Sequence, residues 1–269
     1  MTKQVKVLVL RTAGTNCDVE TVFAFEQCGA SVDAVHIKKL REKSVMLDDY
    51  HILAIPGGFT YGDDIESGRI LANELRVHLG GEMTKFIEDG KLIIGICNGF
   101  QVLVKAGILP GSLPKKEVKS GIKQQVSLSV NDSNKFESRW THLRSSGKCV
   151  WTEGVEDVVY YPVAHAEGKF ITPNKDLLNQ LKDNGRVVFR YCDEDGLEPK
   201  YPNNPNGSDD HIAGITDETG RILGLMPHPE RHFLFTQHPF WTRLGKKQKL
   251  GEGSKIFKNG VDYVKNNLL

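Results

Sequence analysis

The chain has 269 residues, with 35 basic and 34 acidic side chains and a formal net charge of +1. A chain of this length can bury a substantial core, and we expect one domain over residues 1–269. A near-zero net charge without a basic block argues against nucleic acid as a partner. No apolar run reaches the length of a membrane span or a signal-peptide core, so we expect a cytoplasmic protein that does not enter a membrane.

The cysteines predict free thiols rather than a disulfide framework. Their number is odd, and no two of them have the C-x-x-C spacing of a zinc or redox site, so we expect no metal centre. Cys17 stands beside Asp18, and a neighbouring carboxylate disfavours a thiolate, so we do not expect Cys17 to be activated. The five cysteines are Cys17, Cys28, Cys97, Cys149 and Cys192.

Apolar runs alternate with helical patterns through the first hundred residues. Helical spacing marks residues 18–29 and a long amphipathic stretch from about 65 to 88. Continuous apolar strands that alternate with helices predict a doubly wound parallel sheet, covered on both faces. Active sites in such sheets lie beyond the carboxyl ends of the strands. The predicted strands lie at 5–10, 32–37, 51–57 and 92–96.

The second half of the chain predicts strands that lie closer together. The last two are separated by the sequence DETG, in which Gly220 can supply the positive φ of a hairpin turn. We therefore expect an α/β fold in which antiparallel edge strands extend a mostly parallel sheet. Segments 113–121 and 193–210 predict loops, and 254–269 predicts a closing helix. The strands are expected at 125–130, 158–165, 186–192, 211–216 and 221–228.

The sequence GICNGFQ, residues 95–101, has the pattern of a nucleophile elbow with cysteine in place of serine. Gly95 and Gly99 leave room for a sharp turn from strand to helix, with Cys97 at its apex. The unpaired N–H groups of the first helical turn favour a thiolate, and the N–H of Asn98 points to where an oxyanion would develop. The alternative is an inert core cysteine, since free cysteine is among the most buried residue types.

A base for this nucleophile is predicted near the end of the chain. Pro227 and Pro229 restrict the backbone around His228, and Glu230 follows two residues later. A cysteine nucleophile needs an imidazole to accept its proton, and a carboxylate fixes the tautomer of that imidazole. A surface turn would explain this segment equally well on its own, but its combination with the elbow at Cys97 favours a catalytic triad.

Two further glycine-containing segments follow predicted strands. The pair Gly57 and Gly58 allows the backbone to approach a ligand closely, and the Gly58 N–H is a candidate second oxyanion donor if the two strands are neighbours. A tight turn is the alternative. The segment 11–20 lacks both the G-x-G-x-x-G and the Walker patterns, so we expect no ATP site in this chain.

Together these elements resemble the class I glutamine amidotransferases, whose triad is a cysteine on an elbow and a late His-x-Glu. More narrowly, the sequence is similar to the glutaminase subunits of phosphoribosylformylglycinamidine synthases over about 225 residues, from VLVLRTAGTNCD to MPHPERH. The resemblance implies a flavodoxin-like fold. The segments that carry it are PGGFTYGDD (56–64), GICNGFQVL (95–103), PVAHAEG (162–168), NPNGS (204–208) and GLMPHPERH (224–232).

The resemblance implies a set of roles for individual residues. Cys97 would attack the carboxamide carbon of glutamine to give a γ-glutamyl thioester, and His228, oriented by Glu230, would shuttle protons. The N–H groups of Gly58 and Asn98 would line the oxyanion hole.

Two more residues match family positions near the substrate. Gln101 would contact the glutamine, and His165 would lie near the site. For His165 a purely structural role stays equally open.

The resemblance also implies partners. Ammonia would pass to a large synthetase subunit that uses ATP and Mg to convert formylglycinamide ribonucleotide to formylglycinamidine ribonucleotide, with a small bridging subunit. No cofactor is expected in this chain. The alternatives are a glutaminase for another synthetase, a related cysteine hydrolase of γ-glutamyl substrates, or a non-catalytic binding subunit.

Overall fold

The computed structural model describes residues 4–111, 124–146, 149–245 and 248–269, so the predicted loop at 113–121 lies outside the described residues. A nine-stranded sheet runs through the molecule in the order β2-β1-β3-β4-β11-β10-β9-β6-β7, and β5 pairs with β8 in a small second sheet. The strands are β1 (Lys6–Arg11), β2 (Ser31–His36), β3 (Ile52–Ile55), β4 (Leu92–Ile96), β5 (Ser127–Ser129), β6 (Glu137–Ser145), β7 (Val158–His165), β8 (Lys169–Ile171), β9 (Val187–Cys192), β10 (Ile212–Thr216) and β11 (Ile222–Leu225).

Helices connect the parallel strands, as the alternating pattern predicts, and a long helix closes the chain. None of the described helices is long and apolar enough to cross a membrane. The helices are α1 (Asp18–Gln27), α2 (Ile37–Arg41), α3 (Arg69–His78), α4 (Gly80–Glu88), α5 (Asn98–Lys105), α6 (Lys175–Asp183) and α7 (Ser254–Asn267).

The sheet has a parallel half and an antiparallel half. Strands β2, β1, β3, β4 and β11 are parallel neighbours. Every residue of β3, β4 and β11 is buried, which is why these strands read as continuous apolar runs. From β11 onward the pairing is antiparallel through β10, β9, β6 and β7. The predicted α/β fold, with antiparallel strands that extend a parallel sheet, is confirmed.

This topology brings four loops to one edge of the sheet. Strand β4 lies between β3 and β11, and β1 is the next strand beyond β3. Because these strands are parallel, the residues that follow their carboxyl ends meet at the same edge. The loop after β1, the diglycine after β3, the elbow after β4 and the histidine segment after β11 therefore lie at this edge.

Some elements differ from the sequence prediction. The amphipathic stretch at 65–88 forms two helices, α3 and α4, which meet at Leu79. Strand β6 was not predicted, because its sequence ESRWTHLRS contains no apolar run. Helix α6 was also missed, since it lies on the surface with only Leu181 of its residues buried.

The close approach of α5 to β3 yields a stability prediction. A methyl group on Gly99 would overlap the carbonyl oxygen of Ile55, a backbone atom that cannot move aside. A methyl group on Gly81, in α4, would meet no other atom within 4 Å. We expect Gly99→Ala to lower the free energy of unfolding by about 1–3 kcal/mol or more, and Gly81→Ala to raise it by up to about 1 kcal/mol.

Urea denaturation of both variants measures the difference. Equal stabilities for the two variants would contradict the close packing described for Gly99.

Candidate active site

Cys97 occupies a strained backbone position at the apex of the turn between β4 and α5. Its φ is 52° and its ψ is −106°, a combination that costs a non-glycine residue about 1–3 kcal/mol. The flanking glycines are required by space, since a Cβ on Gly95 would lie 2.6 Å from the carbonyl oxygen of Gly99. The Cys97 N–H donates to the Leu225 carbonyl at 2.8 Å, which ties the elbow to β11. The predicted elbow geometry is present.

His228 and Glu230 form a buried pair beside this elbow. Nδ1 of His228 lies 2.6 Å from Oε1 of Glu230, and each residue is 1% exposed. The His228 N–H donates to the Pro162 carbonyl at 2.8 Å, so β7 fixes the backbone that carries the imidazole. With Nδ1 bonded to the carboxylate, Nε2 is the ring nitrogen that stays available to a nucleophile.

The charges around the imidazole favour its protonated form. Burial by itself lowers the pKa of His228, but the Glu230 carboxylate and the Cys97 thiolate outweigh this effect and raise the pKa well above its usual range. A protonated imidazole beside Cys97 stabilises the thiolate, which is the reactive form of the cysteine.

Gly57 shows how closely the cysteine and the histidine approach each other. A Cβ built on Gly57 would lie 2.7 Å from Cε1 of His228 and 3.3 Å from Cβ of Cys97. The two side chains therefore flank the same glycine. Within the described residues Nε2 of His228 makes no hydrogen bond, although the Cys97 side chain contributes to the raised pKa of the ring. Such contacts between nucleophile and base often tighten only when substrate binds.

One predicted oxyanion donor lies in the loop after β3, and the other lies in the elbow itself. Gly58 has a φ of 145°, and a Cβ there would lie 2.6 Å from the Gly14 carbonyl oxygen. Asn98 is the first residue of α5. In the described part of the chain, neither the Gly58 N–H nor the Asn98 N–H donates to a protein acceptor. The two segments are also joined, because Thr60 Oγ1 donates to Asn98 Oδ1 at 2.7 Å.

Gln101 continues this polar network one turn into α5. Its Oε1 accepts from Asn98 Nδ2 at 2.9 Å, and its Nε2 donates to the Glu167 carbonyl. The structure therefore places Gln101 next to the elbow with both ends of its amide in internal hydrogen bonds. A direct contact with substrate stays a prediction.

His165 lies at the end of β7 and is buried. Its Nδ1 lies 3.1 Å from Asn131 Oδ1, an oxygen that also accepts the Gly168 N–H. Burial, and then the charge of His228, lower the pKa of His165 to about 3. The ring is therefore neutral at physiological pH, and its Nε2 is buried without a partner among the described residues.

The chain is similar to known proteins over nearly its whole length. The chain matches the family model of the CobB/CobQ-like glutamine amidotransferase domain over residues 4–264. The chain belongs to this family. A relative from Dehalococcoides mccartyi, phosphoribosylformylglycinamidine synthase subunit PurQ, is 49% identical over 265 residues, covering 97% of this chain and 98% of the relative.

Two further proteins are similar to this chain over nearly its whole length. The PurQ subunit of Archaeoglobus fulgidus is 43% identical over 273 residues, covering 97% of this chain and 98% of the relative. A chain in the structure of PurLQS from Thermotoga maritima is 30% identical, with a TM-score of 0.72, over 97% of this chain and all of that chain. The resemblance to class I glutamine amidotransferases and the flavodoxin-like fold that it implies are confirmed.

One side of the candidate active site was not expected from the sequence. Segment 11–20, which lacks a nucleotide-binding pattern, packs directly on the diglycine, since the N–H groups of Asn16 and Cys17 both donate to the Gly57 carbonyl. The Cys17 sulfur lies 3.8 Å from Nδ1 of His228. The position of this segment after β1, two strands from the elbow strand, was the signal that could have indicated it.

Cys17 is a thiol of raised pKa, as the sequence suggested, but for a different reason. Burial is the largest cause of the raised pKa, and Glu230 adds to it, although the hydrogen bond to His228 opposes both. Asp18, the carboxylate that the sequence pointed to, instead pairs with Arg11 at 2.6 Å.

The NPNGS segment is hydrogen-bonded to the backbone that follows His165. Asn206 Nδ2 donates to the Gly168 carbonyl at 2.9 Å, and Ser208 Oγ accepts the N–H of Phe170 at 2.9 Å. These bonds hold the PVAHAEG segment that carries His165. A separate cavity of about 450 Å³, lined by residues such as His142, Tyr160 and His238, contains none of the predicted site residues.

The buried neutral His165 generates a prediction about pH. In the unfolded chain a histidine protonates near pH 6.5, whereas folded His165 stays neutral down to about pH 3. The unfolded state therefore binds more protons in this window, and the stability from His165 is complete above pH 6.5 and is lost as the pH falls toward 3. Between pH 7 and 5 we expect the wild type to lose about 2 kcal/mol more than His165→Gln.

Urea denaturation at both pH values measures this difference. His78→Gln, at an exposed histidine of α3, is the matched control and should keep the wild-type pH dependence. Parallel pH curves for wild type and His165→Gln would contradict a neutral buried His165.

Proposed function

We propose that this chain is the glutaminase subunit of a phosphoribosylformylglycinamidine synthase. The observation that carries the proposal is the arrangement of Cys97, His228 and Glu230 at the carboxyl ends of adjacent strands, in a chain of this family. The whole chain acts as one glutamine amidotransferase unit. Its relatives from Dehalococcoides mccartyi and Archaeoglobus fulgidus are named as subunits of that synthase.

In the first half of the proposed reaction, the Cys97 thiolate attacks the carboxamide carbon of glutamine. The C–N bond of the resulting tetrahedral intermediate breaks, and the imidazolium of His228 gives its Nε2 proton to the departing nitrogen. The products of this step are ammonia and a γ-glutamyl thioester on Cys97. Glu230 holds the ring with Nε2 toward the sulfur and stabilises its positive charge.

In the second half, water attacks the thioester. His228, now neutral, accepts a proton from that water, and the C–S bond breaks to release glutamate and regenerate the thiolate. The same nitrogen therefore acts first as acid and then as base. The raised pKa of His228 supports this cycle, because it keeps the imidazole protonated before each turnover and able to give its proton to the departing nitrogen.

The proposed oxyanion hole uses the N–H groups of Gly58 and Asn98. Both groups lack a protein acceptor in the described part of the chain, so they can bond the developing oxyanion without first breaking another hydrogen bond. The hydrogen bond from Thr60 to Asn98 fixes the two donor segments relative to each other. Removal of one such donor typically costs about 100- to 1,000-fold in rate.

Gln101 and His165 are proposed to contact the glutamine substrate. A contact from Gln101 would exchange one of its present bonds, to Asn98 or to the Glu167 carbonyl. His165 is neutral, and because its Nδ1 is bonded to Asn131, its Nε2 offers a buried acceptor for a substrate N–H.

The ammonia is proposed to pass to a large synthetase subunit through an enclosed route, with a small bridging subunit in the complex. Ammonia released into water at neutral pH mostly becomes ammonium, which is not nucleophilic. The similar chain in the PurLQS structure supports an assembly of this kind. ATP and Mg belong to the synthetase, which converts formylglycinamide ribonucleotide to formylglycinamidine ribonucleotide, and this chain holds no cofactor of its own.

Replacement of the nucleophile separates glutamine use from ammonia use. In the complex reconstituted with its synthetase, we expect Cys97→Ala to abolish glutamine-dependent formation of formylglycinamidine ribonucleotide, a loss of at least about 1,000-fold. Activity with added ammonium should survive, because the synthetase site is untouched. Product formation from each nitrogen source is measured side by side.

Cys28→Ala, at a partly exposed thiol at the end of α1, is the control and should retain glutamine use. Persistent glutamine-dependent synthesis in Cys97→Ala would show that another group is the nucleophile. If the complex with the wild-type chain formed no product from either glutamine or ammonium, the assigned synthetase would be rejected instead.

A further inference from the structure

A second thiol lies against the triad, next to Nδ1 of the His228 ring. The Cys17 sulfur is 3.8 Å from Nδ1 of His228, the nitrogen that Glu230 also binds. A Cβ on Gly57 would lie 3.0 Å from this sulfur, so the same glycine separates it from Cys97. Cys17 is 1% exposed, and the reaction proposed above does not use it.

Cys17, His228 and Glu230 together present one sulfur, one nitrogen and one oxygen donor to a common point. One ligand atom from each lies within 4.8 Å of the others, and all three residues are buried. Oε2 of Glu230 is buried without a hydrogen-bond partner among the described residues, so this carboxylate has an unused acceptor. The side-chain oxygen of Asn16, 3.1 Å from the Cys17 sulfur, is a further oxygen donor at the same place.

We propose that these residues form an inhibitory site for Zn²⁺. Zinc takes sulfur, imidazole nitrogen and carboxylate oxygen in tetrahedral geometry, at about 2.3 Å for sulfur and about 2.0–2.2 Å for nitrogen and oxygen. Ligand atoms at these distances lie about 3–4 Å from one another, which matches the 3.8 Å separation of the Cys17 sulfur and His228 Nδ1. The Glu230 carboxylate, now 2.6 Å from Nδ1, has to turn aside to admit the ion.

Arg231 supports a metal-bound thiolate from outside. Its Nη2 donates to the Cys17 sulfur at 3.1 Å, and its Nε donates to Glu20 at 3.2 Å. An N–H donor to a ligating sulfur is the kind of outer contact that stabilises metal thiolates, and Glu20 offsets the charge of the guanidinium. The positive charges of Zn²⁺ and Arg231 face three negative charges, from the Cys17 thiolate, Glu230 and Glu20.

Metal binding at this place would stop the reaction without touching Cys97. Coordination requires Cys17 to lose its thiol proton, and it requires Nδ1 of His228 to be free of hydrogen. The neutral imidazole then carries its single proton on Nε2, facing Cys97, and the metal holds that tautomer. His228 can no longer accept a proton from the nucleophile or from water. This consequence rests on the proposed function, whereas the metal site itself rests on the geometry of the three side chains.

Zinc binding is tested in the Cys97→Ala background, where the nucleophile cannot contribute a ligand. Titration calorimetry with Zn²⁺ should find one equivalent, and Cys17→Ser in that background should weaken binding by about 100-fold or more. Serine keeps the size and polarity of the side chain, which protects the fold. Co²⁺ should give a thiolate-to-metal charge-transfer absorption in Cys97→Ala that is lost with Cys17→Ser.

Cys28→Ser and Cys149→Ser, introduced separately in the same background, are matched controls at thiols away from the triad and should keep the affinity. Absence of binding in Cys97→Ala, or equal affinity after Cys17→Ser, would overturn the site. In the wild-type chain, Zn²⁺ should inhibit glutamine hydrolysis at concentrations that fill the site. Continued hydrolysis when the site is saturated with Zn²⁺ would overturn the inhibitory role. If the chain binds Zn²⁺ as described but hydrolyses no glutamine even without zinc, the proposed function alone is rejected.

Discussion

The close approach of helix α5 to strand β3 is the constraint on which the site depends. A side chain at Gly99 would overlap the Ile55 carbonyl, and one at Gly95 would meet the backbone of Gly99. This packing forces the turn between β4 and α5 to be sharp, and the residue at its apex takes the strained conformation of Cys97. The cost of about 1–3 kcal/mol is offset by the buried strands on either side. The buried Cys97 side chain is thereby held at the carboxyl end of β4, where the loops of the neighbouring strands meet.

The other functional groups follow from the strands that flank β4. Strand β3 delivers Gly58 to one side of the elbow, and β11 delivers His228 to the other. Two hydrogen bonds fix the positions of these segments. The backbone N–H of His228 donates to the Pro162 carbonyl, and the Thr60 hydroxyl donates to the Asn98 side chain. Because the imidazole is buried, Glu230 and Cys97 act on it with little screening by water, which is why together they can reverse the effect of burial on the pKa of the ring.

The sequence predicted the strands whose burial is continuous or strictly alternating, and the site residues that follow them. Strands β4 and β7 begin and end as the apolar and alternating patterns indicated, and the spacing around Cys97 indicated the elbow. The sequence did not predict strand β6, because its residues are mostly polar. Its place in the sheet comes from long-range pairing with β7 and β9. The same limit applies to Cys17 and Arg231. Cys17 meets His228 and Arg231 only because α1 packs beside the segment that follows β11, and no local pattern encodes this contact.

The assignment of Cys97 as the nucleophile is tested most directly by covalent labelling with an electrophilic glutamine analogue, such as a diazoketone in place of the carboxamide. The chain has five free cysteines that compete for the reagent. Peptide mapping by mass spectrometry should find one label per chain, on Cys97, and excess glutamine should prevent it. A label on Cys17 or another cysteine, or labelling that glutamine does not prevent, would contradict the account.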